Sequence, residues 1–102
     1  MFHVYQKGSM TSDNKKYQGW ANYETWCVNL WLNNDESTYH YVQELVNRAK
    51  DKYDAARAIK EAVEEMNPLT GQASVYSDLM TAALGEVDWE EIAEGFLEEQ
   101  DE

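Results

Sequence analysis

Tyr23-Glu24-Thr25-Trp26-Cys27-Val28-Asn29-Leu30-Trp31 is the stretch on which the fold turns. Tyr23, Trp26, Cys27, Leu30 and Trp31 fall at i, i+3, i+4, i+7 and i+8, the spacing that lines up one face of a helix. The Trp, Val and Trp within Thr25–Trp31 would also suit a strand, but the 3.6-residue spacing fits better than strict alternation. Asn22 stands where an N-cap belongs, because its short side chain can accept a hydrogen bond from a free amide of the first turn. Asn33-Asn34-Asp35 closes the segment and offers Asn34 or Asp35 as the cap of a second helix.

That second helix is expected from about Glu36 to Asp51, with Tyr39, Val42, Leu45, Val46 and Ala49 as its apolar stripe. Asp54 would cap a third, with Ala55, Ala58, Ile59, Ala62, Val63 and Met66 facing inward and Lys60, Glu61, Glu64 and Glu65 outward. Asn67-Pro68 stops it, since proline biases the preceding residue away from helix. A Gly-containing loop, Leu69–Ala73, leads to a fourth helix at about Val75–Leu84. Ser74 would cap it, Gly85 would end it, and Val75, Leu79, Met80 and Ala83 share one side. The fifth has the clearest start. Asp88 is the N-cap, Glu91 completes a capping box, and Val87 can staple Ile92. Trp89, Ile92, Ala93, Phe96 and Leu97 form its apolar face. The expected class is all-α: one domain over 20–97, a compact bundle of about five short amphipathic helices. Residues 1–19 read as a flexible lead-in, with Gly8-Ser9-Met10 resembling an expression junction that would make 1–9 a tag. Residues 98–102 read as an acidic tail, expected to fray because its charge opposes the helix dipole.

Charge is divided unevenly along the 102 residues. Residues 1–51 carry six Asp/Glu against five Lys/Arg; residues 52–102 carry fourteen against three, a net of −11 out of the chain's −12. The apolar fraction, 43%, is ordinary for a globular protein, so acidity alone does not disorder the chain. Cys27 is the single cysteine, which excludes an internal disulfide and a Cys-rich zinc site and suits a reducing cytoplasm. No run approaches the ~18 apolar residues of a membrane span, and Met1–Met10 lacks the apolar core of a signal peptide. An acidic surface is repelled by naked nucleic acid and by anionic membranes. The partners it favours are basic protein surfaces, above all clefts built to hold DNA or RNA.

No catalytic constellation is legible. His40 and Glu44 make half a metal site at i and i+4, with nothing to complete it. Asn33, Asp35, Ser37 and Glu44 fall at positions 1, 3, 5 and 12 of a calcium loop, but Thr38 stands where the turn needs glycine. Cys27 lies on an aromatic face with only His40 as a candidate base, and a thiolate needs an electropositive site. Adjacent acids such as Glu64-Glu65 and Glu90-Glu91 point in different directions on a helix and stay solvated. No Gly-rich phosphate loop and no basic patch with interleaved aromatics occurs. No enzyme, metal or cofactor is expected.

The full string Trp20-Ala21-Asn22-Tyr23-Glu24-Thr25-Trp26-Cys27-Val28-Asn29-Leu30-Trp31-Leu32-Asn33-Asn34-Asp35 resembles the opening of an uncharacterised family of short proteins carried by phages and plasmids. In that family W-x-N-Y-E-T-W-x-V-x-L-W-x-x-N-[DE] leads a compact helical domain. Val87-Asp88-Trp89-Glu90-Glu91-Ile92-Ala93 resembles a second element, V-D-W-x-x-I-A, so the likeness covers roughly Trp20 to Phe96. It implies a helical domain and carriage on mobile elements, hence interference with host or defence machinery.

Two functions follow as expectations. In the first, the chain occupies the basic site of a host nuclease, restriction or CRISPR effector, polymerase or regulator by imitating DNA. Acids on successive helical turns lie about 5–6 Å apart, a scale on which carboxylate rows can stand in for phosphates. The candidate contacts are Glu61, Glu64, Glu65, Glu90, Glu91, Glu94, Glu98 and Glu99. In the second, the chain is an adaptor that binds through aromatics at the edge of the core, Trp20 and Tyr23, and its acidity serves only solubility. Trp26, Leu30 and Trp31 are expected inside, and a homodimer is a further way to cover large side chains.

Overall fold

The computed structural model describes residues 17–100. Residues 1–16, with the expected tag and most of the lead-in, and the last two residues of the expected tail lie outside the described residues. Five helices follow one another: α1 (Tyr23–Asn34), α2 (Glu36–Arg48), α3 (Lys52–Met66), α4 (Val75–Leu84) and α5 (Trp89–Gln100). There is no strand among the described residues, only an isolated bridge between Tyr17 and Trp20. The chain is an all-α bundle.

Each helix begins on a side-chain cap. Asn22 accepts from the Thr25 amide, Asp35 from Thr38, Asp51 from Asp54, Ser74 from Ser77 and Asp88 from Glu91. These bonds satisfy amides that the helical ladder leaves open. Asp51 corrects the expected third cap: Asp54 sits inside the first turn, and α3 starts earlier than its apolar pattern indicates. The second helix correspondingly ends at Arg48 rather than Asp51. Gly85 closes α4 at φ −66°, so the stop is not a left-handed one.

Two ends of the domain also differ from expectation. Tyr17 and Trp20 exchange backbone hydrogen bonds of 3.0 and 2.7 Å around Gln18 (φ 51°) and Gly19 (φ 87°). Positive φ at both central positions is a type I′ turn, and it carries the folded part back to Tyr17. At the other end α5 continues through Gln100, so Glu98 and Glu99 are helical rather than frayed tail.

The centre of the bundle is the α3–α5 pair, against which α2 packs on both helices and α1 on α2 and α5. Ala55, Ala56 and Ala62 on α3 and Ala93 on α5 keep that contact close, and Ile59, Ile92 and Phe96 fill it. Val42 and Val46 bring α2 in, Leu32 brings α1, and Val87 closes the end. Trp20, reached through the I′ turn, is the largest fully buried side chain.

The inward face of α1 is the main correction. Its buried residues are Thr25, Asn29 and Leu32, whereas Trp31 is 62% exposed and Tyr23 is exposed as well. Trp26, Cys27 and Leu30 are half-buried flanks. Apolar residues occur almost all round this helix, so spacing alone does not choose a face. Thr25 wins its place in the interior because its hydroxyl finds hydrogen bonds there. The apolar side of α4 also fails to become core: Val75 and Leu79 stay exposed, as does Met66 at the end of α3.

Candidate functional site

The two stretches that prompted the family likeness meet at the start of α1 and α5. Asn22 caps α1 through Oδ1, which accepts from the Thr25 amide at 2.9 Å and the Thr25 hydroxyl at 2.6 Å. Asn22 Nδ2 donates to the Glu86 carbonyl at 2.7 Å. Thr25 Oγ1 in turn accepts from the Asp88 amide at 2.8 Å. Asp88 Oδ1 caps α5 by accepting from the Glu91 amide at 3.1 Å, and Glu91 Oε1 accepts from the Ala21 amide at 3.0 Å. Val87 and Ile92, the staple pair, are both buried beneath. The capping box is thus half local. Its return arm is replaced by bonds between α1 and α5, which form a polar clasp around Trp20.

That clasp removes Glu91 from the expected partner contacts. The residue is only 3% exposed, and its carboxylate is committed to the α1 entry, where the α5 N-terminus also favours its charge. A buried carboxylate without such bonds would be costly.

The other seven acids separate into two groups. Glu61, Glu64, Glu65, Glu90 and Glu98 are exposed. Glu94 is held at 2.9 Å by Lys52, whose pKa is raised first by the hydrogen bond to Glu94, then by its charge and more weakly by Glu90. Glu99 accepts from the Tyr39 hydroxyl at 2.7 Å. That bond, followed by burial, pushes the Tyr39 phenol up to about 12. The densest outward set is Glu61, Glu64 and Glu65 on the last turns of α3, at i, i+3 and i+4 from one another. Neither α3 nor α5 has a basic residue in its last turn. Like charges one turn apart and anions at a helix C-terminus both cost helix stability.

Trp20 is corrected as an aromatic anchor, because it is fully buried. Tyr23 keeps an exposed ring, packed edge-on against Tyr17 at 5.2 Å and tilted against Trp26 at 5.6 Å. Trp31 lies further along the same helix. An apolar surface that the sequence pattern assigned to the interior lies on α4, where Val75, Tyr76 and Leu79 are exposed and no residue is buried. Between α4 and the end of α3 runs an open groove of about 200 Å³ lined by Val63, Met66, Pro68, Met80 and Leu84.

Among the described residues there is no group of three or more His, Cys, Asp or Glu able to hold a metal. His40 lies 3.8 Å from Glu36, and Glu44 lies 3.7 Å from Arg48, so the two halves of the expected pair face other residues. Cys27 is a half-buried free thiol. Among the described residues no helix is long and apolar enough to cross a membrane.

Fold and surface together define a small acidic helical protein, closed by a clasp at one end and bearing free carboxylates and bare apolar side chains on α3 and α4. A family model described as a family of unknown function (DUF7249) matches residues 13–101, and the chain belongs to that family. No curated protein and no solved structure matches it.

Proposed function

We propose that this is a non-enzymatic binding protein of mobile-element origin that acts in the host cytoplasm. It occupies the basic site of a nucleic-acid-handling or defence protein, such as a nuclease, a restriction or CRISPR effector, a polymerase or a regulator. The observation that supports this most is the placement of Glu61, Glu64 and Glu65. They are exposed, Glu61 lies one helical turn from both Glu64 and Glu65, and all three sit at a helix end where they weaken the helix. Glu90 and Glu98 extend the acidic surface onto α5. A helix that bears such a local cost is a candidate for an external demand.

The test is capture from host lysate by the immobilised protein, followed by elution with salt or with duplex DNA. A basic-site occupant releases its partner to both, and the triple variant Glu61→Gln, Glu64→Gln, Glu65→Gln captures far less. A partner that stays bound in salt and ignores DNA would refute the reading. The exposed rings of Tyr23 and Trp31 favour the second reading, an adaptor that binds through aromatics. Under that reading, Tyr23→Ala abolishes capture and the glutamine variant does not.

A further inference from the structure

From residue 68 through residue 86 no side chain is buried, whereas each of the other four helices buries part of one face. α4 takes no part in the main helix contacts that join α1, α2, α3 and α5. Among the described residues, no hydrogen bond or ion pair links α4 to another helix. Its bonds are its own: the Ser77 amide donates to Ser74 Oγ at 3.0 Å, and the Gly85 amide to the Thr81 carbonyl at 3.0 Å. The loop before it also turns on itself, with the Thr70 and Gln72 amides donating to the Asn67 and Leu69 carbonyls. One bond from that loop reaches α3, from the Thr70 hydroxyl to the Glu64 carbonyl at 3.4 Å, which is long for a hydrogen bond. Charge offers no tether either. Asp78 is the sole charged residue of α4, and residues 61–102 contain no Lys, Arg or His. Open grooves run between α4 and α3. One of about 580 Å³ is lined by Lys60, Glu64, Ser77, Thr81, Val87 and Trp89 among others, and the groove of about 200 Å³ lies beside Met80 and Leu84.

Packing supplies most of a helix's stability in a folded protein, and an isolated helix shorter than ~12–15 residues is marginal in water. α4 has 10 residues and receives little packing. Its borders, by contrast, are firm. On one side the Asn67 amide donates to the Glu64 carbonyl at 3.2 Å and ends α3. On the other, the Glu86 carbonyl accepts from Asn22 Nδ2 at 2.7 Å, and Val87 beyond it is buried. A segment with few buried contacts between fixed ends opens by itself, well below the free energy of global unfolding.

We propose that residues 68–85 form a flap that unfolds locally while α1, α2, α3 and α5 stay folded. Asn67 and the clasp at Glu86 bound it. Opening removes one wall of both grooves and uncovers Val63 on α3 together with Val87 and Trp89 at the entry to α5. That apolar surface is fully available only in the minor, open state. The flap is a property of the fold and independent of the acidic-recognition reading. Gly71 lies inside it at φ 85°, a left-handed conformation that glycine adopts freely and alanine does not. A Cβ there would meet no atom within 4 Å, so alanine weakens the closed state through the backbone alone.

The test is native-state hydrogen exchange of the full chain, read by amide NMR at rising urea below the unfolding transition. Amides of residues 78–85 should exchange about a hundredfold or more faster than those of Ile59, Ala62, Ala93 and Phe96, and share one small urea slope. Ile59→Val thins the core of α3, where Ile59 is fully buried. It should speed exchange about fivefold at Ala93 and Phe96 and leave 78–85 unchanged, because the flap opens without breaking that core. Gly71→Ala should speed exchange about fivefold at 78–85. Equal protection of the two groups in the parent chain, or an Ile59→Val effect that is the same on both, makes α4 part of the global unit and overturns the proposal. Graded exchange along 78–85 with no urea slope means fraying residue by residue, and overturns it too. Exchange at 78–85 that ignores Gly71→Ala removes the loop from the opening unit and overturns the flap as bounded.

Discussion

Thr25→Val is the substitution that weighs the clasp. Valine has nearly the volume and helix propensity of threonine, so neither a cavity nor a propensity change is introduced. What is lost is the hydroxyl that donates to Asn22 Oδ1 and accepts from the Asp88 amide. Asn22 Oδ1 keeps its bond from the Thr25 amide, so that loss is small. The Asp88 amide has no such substitute at a position where Thr25 itself is fully buried. Asp88 is exposed and the bond is part-buried, so stranding its amide costs about 1–2 kcal/mol even though Thr25 is buried, and the extra methyl returns less than ~1 kcal/mol. A net loss of ~1 kcal/mol corresponds to a drop of roughly 4–8 °C in the thermal midpoint of a domain this size.

The molecule supplies its own control. Thr38 sits on Asp35 in the same way that Thr25 sits on Asn22, with its amide at 3.0 Å and its hydroxyl at 2.6 Å from Asp35 Oδ2. No distant backbone amide leans on the Thr38 hydroxyl, and the site is exposed. Thr38→Val should therefore cost under ~1 kcal/mol. Urea unfolding followed by circular dichroism and tryptophan fluorescence measures both, with the denaturant slope checking that the unfolded state is unchanged. Equal losses at the two positions, or a Thr25→Val loss within ~0.5 kcal/mol of zero, would refute the claim that the bond between α1 and α5 carries the difference.

Three further outcomes follow from the burial and titration pattern. Trp20→Ala should destabilise by about 3–5 kcal/mol and Trp31→Ala by under ~0.5 kcal/mol, as read by urea unfolding, since one ring is fully buried and the other is mostly in water. Tyr39 donates to Glu99 only as a neutral phenol. With its pKa raised from 10.0 to about 12, the folded chain holds that proton more tightly, so this contribution is whole below about pH 10 and is lost as pH rises through about 12. Tyr39→Phe should remove that alkaline limb from the stability profile, and phenolate absorbance should lose a late-titrating tyrosine in that variant. Glutamine at 61, 64 and 65 should raise the unfolding free energy, read by urea unfolding, by a few tenths of a kcal/mol per site, most clearly at low salt, because it removes like-charge contacts and anions at the α3 C-terminus.

Helix number and most helix starts are legible in the sequence because capping is local. Asn22, Asp35, Ser74 and Asp88 each sit three residues before the amide they satisfy. Asp51 escapes because Asp54, three residues on, offers the same chemistry nearer the apolar run. Faces are harder. Around α1 apolar residues point almost everywhere, and Thr25 takes an interior place because its hydroxyl is needed by an amide 63 residues away. Nothing in the local pattern announces that demand. Glu91 is the same case in reverse: it reads as one more solvated acid until the Ala21 amide arrives. On α4 the apolar side is legible, but periodicity tells which side is apolar and not whether a neighbour covers it.

The clasp also bears on what the family likeness can mean. Trp20, Asn22, Thr25, Val87, Asp88 and Glu91 come from the two stretches that carry it, and every one is occupied with folding: a buried ring, two caps, a hydroxyl bridge, a staple and a buried carboxylate. These six give no direction to a partner, whereas Tyr23 and Trp31 of the same stretch stay exposed. The rest of what the fold leaves unexplained lies in the carboxylates on the last turns of α3 and the bare apolar stripe of α4. Stability alone would place Lys or Arg at those helix ends and polar side chains along that stripe, and either change is available by single substitutions that disturb nothing buried. The departures fall on neighbouring helices, in a segment of one charge sign. It is there, and not at the six clasp residues, that substitutions should separate binding from folding.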